Sequence, residues 1–182
     1  MSVEMMREVG LEAMPGTGRR IVVVPPVPAL LEEYASLEDP VADLRSACTA
    51  AVAWLDRRVR IVAADDLGRR VGESLTHRPS DDDAVDLLVL ANGTACRSEK
   101  APGHLDPRAA DFDAHLGELL ATGDVAGLAH VDNDLAESLL TSGLEVFRTL
   151  EAEAIEVQSV EIDHAEDPFG VMYWVVRWQC AS

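Results

Sequence analysis

Four consecutive β-branched residues, Ile21-Val22-Val23-Val24, closed by Pro25-Pro26, constrain this chain more than any other feature. Side chains alternate between the two faces of a strand, so a run without a polar residue has to be covered on both. A parallel sheet packed between helices supplies that cover. Two further runs come at crossover spacing: Arg60-Ile61-Val62-Ala63-Ala64, ending at Asp65-Asp66, and residues 85–91, ending at Asn92-Gly93. Between the first two, Asp39-Pro40 signals a helix start, with Asp as the cap and Pro in the first turn. Val41, Leu44, Cys48, Val52 and Leu55 then recur at helical spacing and form one apolar face. Strands joined by right-handed crossovers present their carboxyl ends along one edge.

The second half opens with helices. Asp106-Pro107 repeats the start signal, Ala109, Phe112, Leu116 and Leu119 form a buried stripe, and Gly123 stops it. Asp132 caps a shorter helix through Leu135 and Leu139, ended by Gly143, and Leu144, Phe147 and Leu150 add another turn or two. Two strands close the chain, 155–162 and 171–178, joined by a loop over 163–170. The apolar phase slips between Val157 and Val160, which predicts a bulge. The fold class expected is therefore α/β: a mostly parallel central sheet flanked by helices, with a C-terminal antiparallel hairpin.

Length and charge narrow the rest. The 182 residues suit one domain, read as 20–182, behind a flexible N-terminal tail over 1–19 punctuated by Pro15, Gly16 and Gly18. Those glycines precede the first strand, which argues against a phosphate-cradling loop. Thirty-three Asp and Glu against 15 Lys and Arg leave a net charge of −18. Such a surface repels phosphate, so neither nucleic acid nor an anionic membrane is an expected partner. No apolar stretch is long enough to span a bilayer. Cys48, Cys96 and Cys180 form no CxxC pair and are odd in number, which suits reduced thiols and a cytoplasmic protein.

Ligands of open α/β sheets bind beyond the carboxyl ends of the strands. Those ends are Pro25-Pro26, Asp65-Asp66 and residues 92–96, with the 163–170 loop expected to join them. Two carboxylates, Cys96 and His164 come within reach of one another on this reading. Cys96 reads first as an inert buried thiol; as the alternative, Arg97 and Lys100 stand close enough in sequence to lower its pKa and make it a thiolate nucleophile. Asp65 and Asp66 either bind a hard cation together with His164 or cap the next helical turn. Glu99 and Lys100 are binding candidates or a surface ion pair. No GxSxG, HExxH or Walker pattern occurs.

At these residues the chain resembles a known group. Residues 21–31, Ile21-Val22-Val23-Val24-Pro25-Pro26-Val27-Pro28-Ala29-Leu30-Leu31, look like the opening of class III extradiol ring-cleavage dioxygenases, B-subunit (LigB-like) superfamily, in an actinobacterial branch. The stretch from Asn92-Gly93-Thr94-Ala95-Cys96-Arg97 through Gly103-His104-Leu105-Asp106-Pro107-Arg108 is similar to that branch's central motif. Phe112-Asp113 and Gly123-Asp124 fit its next helices, and Pro168-Phe169-Gly170-Val171-Met172-Tyr173 resembles its last hairpin. The resemblance implies that the chain is shorter than that group around 76–83.

The resemblance implies ferrous iron held by two histidines and a carboxylate, with open positions for catechol and dioxygen. The first histidine's place is taken by Pro26, the second's by Asp65 or Asp66, and the acid–base histidine's falls near Cys96. No histidine precedes His77. The expectation is a degenerate dioxygenase-like protein without the iron site and without a cofactor. It would bind a small molecule or a protein partner, or serve a structural role, with homo-oligomerisation left open. The alternative is an oxidoreductase or other enzyme of the superfamily with a rearranged site, Fe(II) or another divalent cation on Asp65, Asp66 and His164, or a Cys96 thiolate.

Overall fold

A computed structural model describes residues 18–34, 39–56 and 58–181. β1 (Arg20–Val24), β2 (Val59–Val62) and β3 (Asp86–Leu90) are parallel, and β4 (Val157–Glu166) and β5 (Tyr173–Cys180) form the closing antiparallel hairpin. The five strands make one mixed sheet in the order β2-β3-β1-β5-β4, with β5 antiparallel to β1. The β-branched run lies in the sheet's centre, and Ile21, Val22, Val23 and Val24 are all buried.

Two helical layers supply the cover. α1 (Ala42–Ala53) and α2 (Asp66–Thr76) pack Leu44, Cys48, Ala51 and Val71 against Val22, Val24, Leu88, Leu90 and Val175. On the other face lie α3 (Arg108–Thr122), α4 (Val125–Ala129), α5 (Asn133–Ser138) and α6 (Val146–Ala152). They pack Phe112, Leu116, Leu128, Phe147 and Leu150 against Ile21, Val23, Leu87, Val89, Val176 and Trp178. Because β1→β2 and β2→β3 cross the sheet in opposite directions while α1 and α2 share one face, the two crossovers have opposite hands. This corrects the expectation of uniformly right-handed crossovers. The shared carboxyl edge requires only that the strands point the same way, and they do.

Most helix signals hold with small shifts, but Gly143 does not end the helix capped by Asp132: α5 stops at Ser138, and Gly143, at φ 79°, lies in the turn ahead of α6. Asp39 accepts from the Val41 amide at 3.1 Å ahead of α1, and Asp106 from the Arg108 amide at 2.9 Å ahead of α3. Asp132 caps α5 through the Leu135 amide at 3.0 Å, and Gly123 ends α3 with φ 66°. The register of the hairpin slips between Val157 and Ser159, where the apolar phase slips. It slips again between Ile162 and His164, and β4 runs on to Glu166 rather than ending at 162. Residues 1–17 of the expected tail lie outside the described residues. Its last part does not behave as tail: the Arg19 carbonyl accepts from the Cys180 amide at 2.9 Å, and Arg19 pairs with Glu153 at 2.5 Å. Among the described residues no helix is long and apolar enough to cross a membrane.

Candidate functional site

The carboxyl edge of the sheet is closed by two chain segments bound to each other. The Gly93 amide donates to the Met172 carbonyl, the Met172 amide to Thr94 and the Arg97 amide to Gly170, each at 2.9 Å. Residues 93–97 after β3 are thereby tied to 170–172 ahead of β5. On the other side the Ala95 amide donates to Leu139, and Asn92 exchanges bonds with Ser142. Pro25, Pro26 and residues 91–96 are all buried. The space beyond the strands is filled by the chain itself.

Inside this seam lies a buried carboxylate. Asp113, on the inner face of α3, is 3% exposed and accepts from the Thr94 amide at 2.9 Å and the Thr94 hydroxyl at 2.7 Å. Arg97 stands between two acids, its Nη1 3.8 Å from Asp113 and its Nε 2.8 Å from Asp167. Burial raises the Asp113 pKa above the ordinary carboxylate value, while the Thr94 bonds and the Arg97 charge pull it down and Asp167 pushes it up. A Cβ at Gly93 would meet Asp113 Oδ1 at 2.5 Å and the Trp174 ring at 2.6 Å, so this approach requires glycine. The cluster ties α3, the segment after β3 and the hairpin turn into one unit. Sequence reasoning passes over Asp113 and Thr94 as functional residues. The signal is nonetheless present: Asp113 falls four residues after Ala109 and three before Leu116, on the apolar stripe, where a carboxylate has to find a partner.

The candidates expected at this edge are scattered. Pro26 is buried in the turn after β1. Asp65 caps α2, its Oδ1 accepting from the Gly68 amide at 2.7 Å, and exposed Asp66 pairs with Arg69. His164 is a residue of β4 opposite Val175, not of the hairpin loop, and its Nε2 is buried without a hydrogen-bond partner. β2 and β4 are the two edges of the sheet, four strand spacings or about 19 Å apart. Asp65, Asp66 and His164 therefore cannot share a cation, which corrects the rearranged metal set. Glu99 and Lys100 are exposed and form no ion pair with each other.

Cys96 is buried, its Sγ 3.4 Å from the Leu139 carbonyl and packed against Gly103. Burial pushes its pKa up, and Asp106 and Asp113 add to the effect. Arg97 serves the two acids instead of the thiol, so the thiolate alternative is corrected to a protonated, enclosed thiol. Cys48 and Cys180 are buried as well, with pKa values pushed up to about 12 and about 11. Titration of the native protein with a disulfide reagent at pH 7 is expected to leave all three thiols unreacted over minutes and to find all three in denaturant. Fast labelling of Cys96 in the native state would restore the nucleophile.

The residues that the resemblance would set at iron positions do not fit ferrous iron. Pro26 offers no donor atom, the Asp65 carboxylate is engaged as a helix cap and the Cys96 thiol is enclosed. His77 and His130 end α2 and α4, His115 is exposed on α3, and His104 sits in the loop ahead of α3. Among the described residues no three His, Cys, Asp or Glu side chains are grouped to hold a metal ion. Open space lies on the other side of the molecule. A groove of about 760 Å³ between the C-terminal ends of α1 and α2 and one of about 430 Å³ beside Arg19 and Glu153 both open on the amino edge. No protein-family model matches the chain, and no curated protein matches it.

Proposed function

We propose that this protein is a degenerate, iron-free counterpart of the class III extradiol dioxygenases that acts as a binding protein, through contacts with a protein partner. The observation that carries this reading is the filled carboxyl edge. Residues 91–96 are buried where a dioxygenase needs two open coordination positions, and the Asp113–Arg97–Asp167 cluster fastens the hairpin turn over them. A closed edge built of loops bonded to one another favours recognition on its outer surface over a small ligand inside it.

Loading the protein anaerobically with ferrous iron, desalting it and measuring metal is the test. Well under 0.1 iron per chain is expected, with no oxygen uptake above the iron blank on protocatechuate-type catechols. One iron per chain with turnover would overturn the reading and return the protein to the oxidoreductases.

A further inference from the structure

The outer surface of the carboxyl edge carries three large apolar side chains in the open. Leu105 is 52% exposed, Leu140 49% and Phe169 47%. Leu105 belongs to the loop of residues 95–106, and Leu140 and Phe169 flank that loop. Leu140 lies against Gly103, 2.9 Å from where a Cβ there would sit. Gly170, next to Phe169, packs against Ser98 and Ala101. Scattered exposed apolar residues are ordinary, but three on one bonded loop system are not.

Two observations mark this surface as more than leftover. Leu140 and His104 have φ of 56° and 59°, a left-handed conformation that side-chain-bearing residues seldom adopt. Leucine has no polar group with which to stabilise it, so the chain holds Leu140 outward against its backbone preference. The second observation is charge. Exposed Glu99, Glu137 and Glu166 each stand within six residues in sequence of one of the three side chains, and none forms an ion pair among the described residues. Of the nearby cations, Arg97 is taken by Asp167 and Arg108 by Asp106, which leaves Lys100.

Resting on the iron-free reading, we infer that the 95–106 loop, Leu140 and Phe169 form a docking surface for a basic protein segment with an apolar anchor. Such a segment sets its apolar side chains on the patch and its Lys or Arg side chains toward these unpaired carboxylates. A second copy of this chain is the wrong occupant, because it would bring the same unpaired carboxylates and another net charge of −18. The loops are hydrogen-bonded internally and to one another, so docking loses little conformational freedom.

The probe is a synthetic 14-residue peptide with leucine at helical spacing and arginine between. Two controls replace leucine by serine or arginine by glutamate. Binding to the full chain is measured by amide chemical shifts and by peptide fluorescence anisotropy. The Leu/Arg peptide is expected to bind at least tenfold more tightly than either control, with shifts centred on 102–106, 140 and 169. Phe169→Ser and Leu140→Gly are each expected to weaken it at least fivefold. Leu140→Gly is expected to leave the thermal midpoint unchanged or raised, because glycine adopts this φ freely. Equal binding of the Arg/Ser control would overturn the inference as charge attraction alone. Shifts centred on the amino-edge grooves would overturn it too, as would self-association abolished by Phe169→Ser. Failure of the iron-free reading shows separately, as iron content and oxygen uptake.

Discussion

Trp178→Ala is expected to lose about 3–5 kcal/mol of folding stability, which is the range for deleting a large buried aromatic. Trp178 has no solvent exposure and lies in β5 opposite Ile21 on one side and Val160 on the other. It joins the parallel half of the sheet to the edge strand. Its ring packs on Phe147 with centroids 6.2 Å apart, and its Nε1 donates to the Leu120 carbonyl at 3.0 Å. Alanine leaves a cavity and removes one of the two donors to the Leu120 carbonyl, which keeps the Gly123 amide. Domains of this size hold a total of about 5–15 kcal/mol, so the loss removes a large share. With a urea slope of about 2 kcal/mol per M, the midpoint should fall by about 2 M. Trp178→Phe should keep most of the packing and lose the hydrogen bond, for a fall of about 0.5 M. A shift below about 0.5 M for the alanine variant would show that β5 is not the seam of the core.

Where local chemistry and tertiary structure agree, the elements are legible directly. The 21–24 run demands cover on two faces, and the Asp and Gly signals around α3 and α5 work through their own neighbours. α2 escapes recognition as a helix because its informative residues work against propensity. Gly68 and Gly72 weaken a helix in isolation. In the fold a Cβ at Gly72 would meet Ile61 at 2.6 Å, and one at Gly68 would meet Ala63 at 3.1 Å. Both are there for close approach to β2, which only the packed structure reveals. The end of β4 is hidden for another reason. Asp163, His164 and Glu166 read as loop, yet an edge strand exposes polar residues, and the second register slip falls among them.

The same distinction separates the parts of the candidate site. Parallel strand direction suffices to bring residues 25–26, 65–66 and 92–96 to one edge. What each side chain does there depends on partners distant in sequence. Arg97 stands next to Cys96 in the chain, but its guanidinium is bound by Asp167, 70 residues on. Proximity in sequence suggests an activated thiol, and the fold assigns the charge elsewhere. Asp65 takes one of its two expected roles, as a cap, because capping is a local event.

Asp113 gives the second large effect. Asp113→Ala strips the acceptor from the buried Thr94 amide and hydroxyl and is expected to cost about 2–6 kcal/mol, at about 1–3 for each buried donor left unpaired. Asp113→Asn keeps an oxygen for the amide and a group that can bond the hydroxyl, and Arg97 retains Asp167. It should cost far less, and its pH dependence is the sharper test. The folded-state pKa of Asp113 lies above its ordinary value of 3.8 because burial disfavours the anion. Between those two values the folded state binds more protons than the unfolded one, so this group's contribution to stability falls as pH rises. Above the folded pKa the ionised, buried carboxylate weighs against folding, and below 3.8 that burden is gone. The groups facing it, Arg97, Asp167 and Thr94, are present in both proteins and largely cancel in the comparison. The stability of Asp113→Asn minus that of the native chain should therefore be larger at about pH 7 than near pH 4, as read from urea midpoints at each pH. Asp39, Asp81 and Asp106, whose arginine partners lower their pKa, give the opposite slope in both chains and drop out of the difference. A difference that grows as pH falls would mean that Arg97 and Thr94 outweigh burial. The cluster would then be a net ionic clamp that favours the anion.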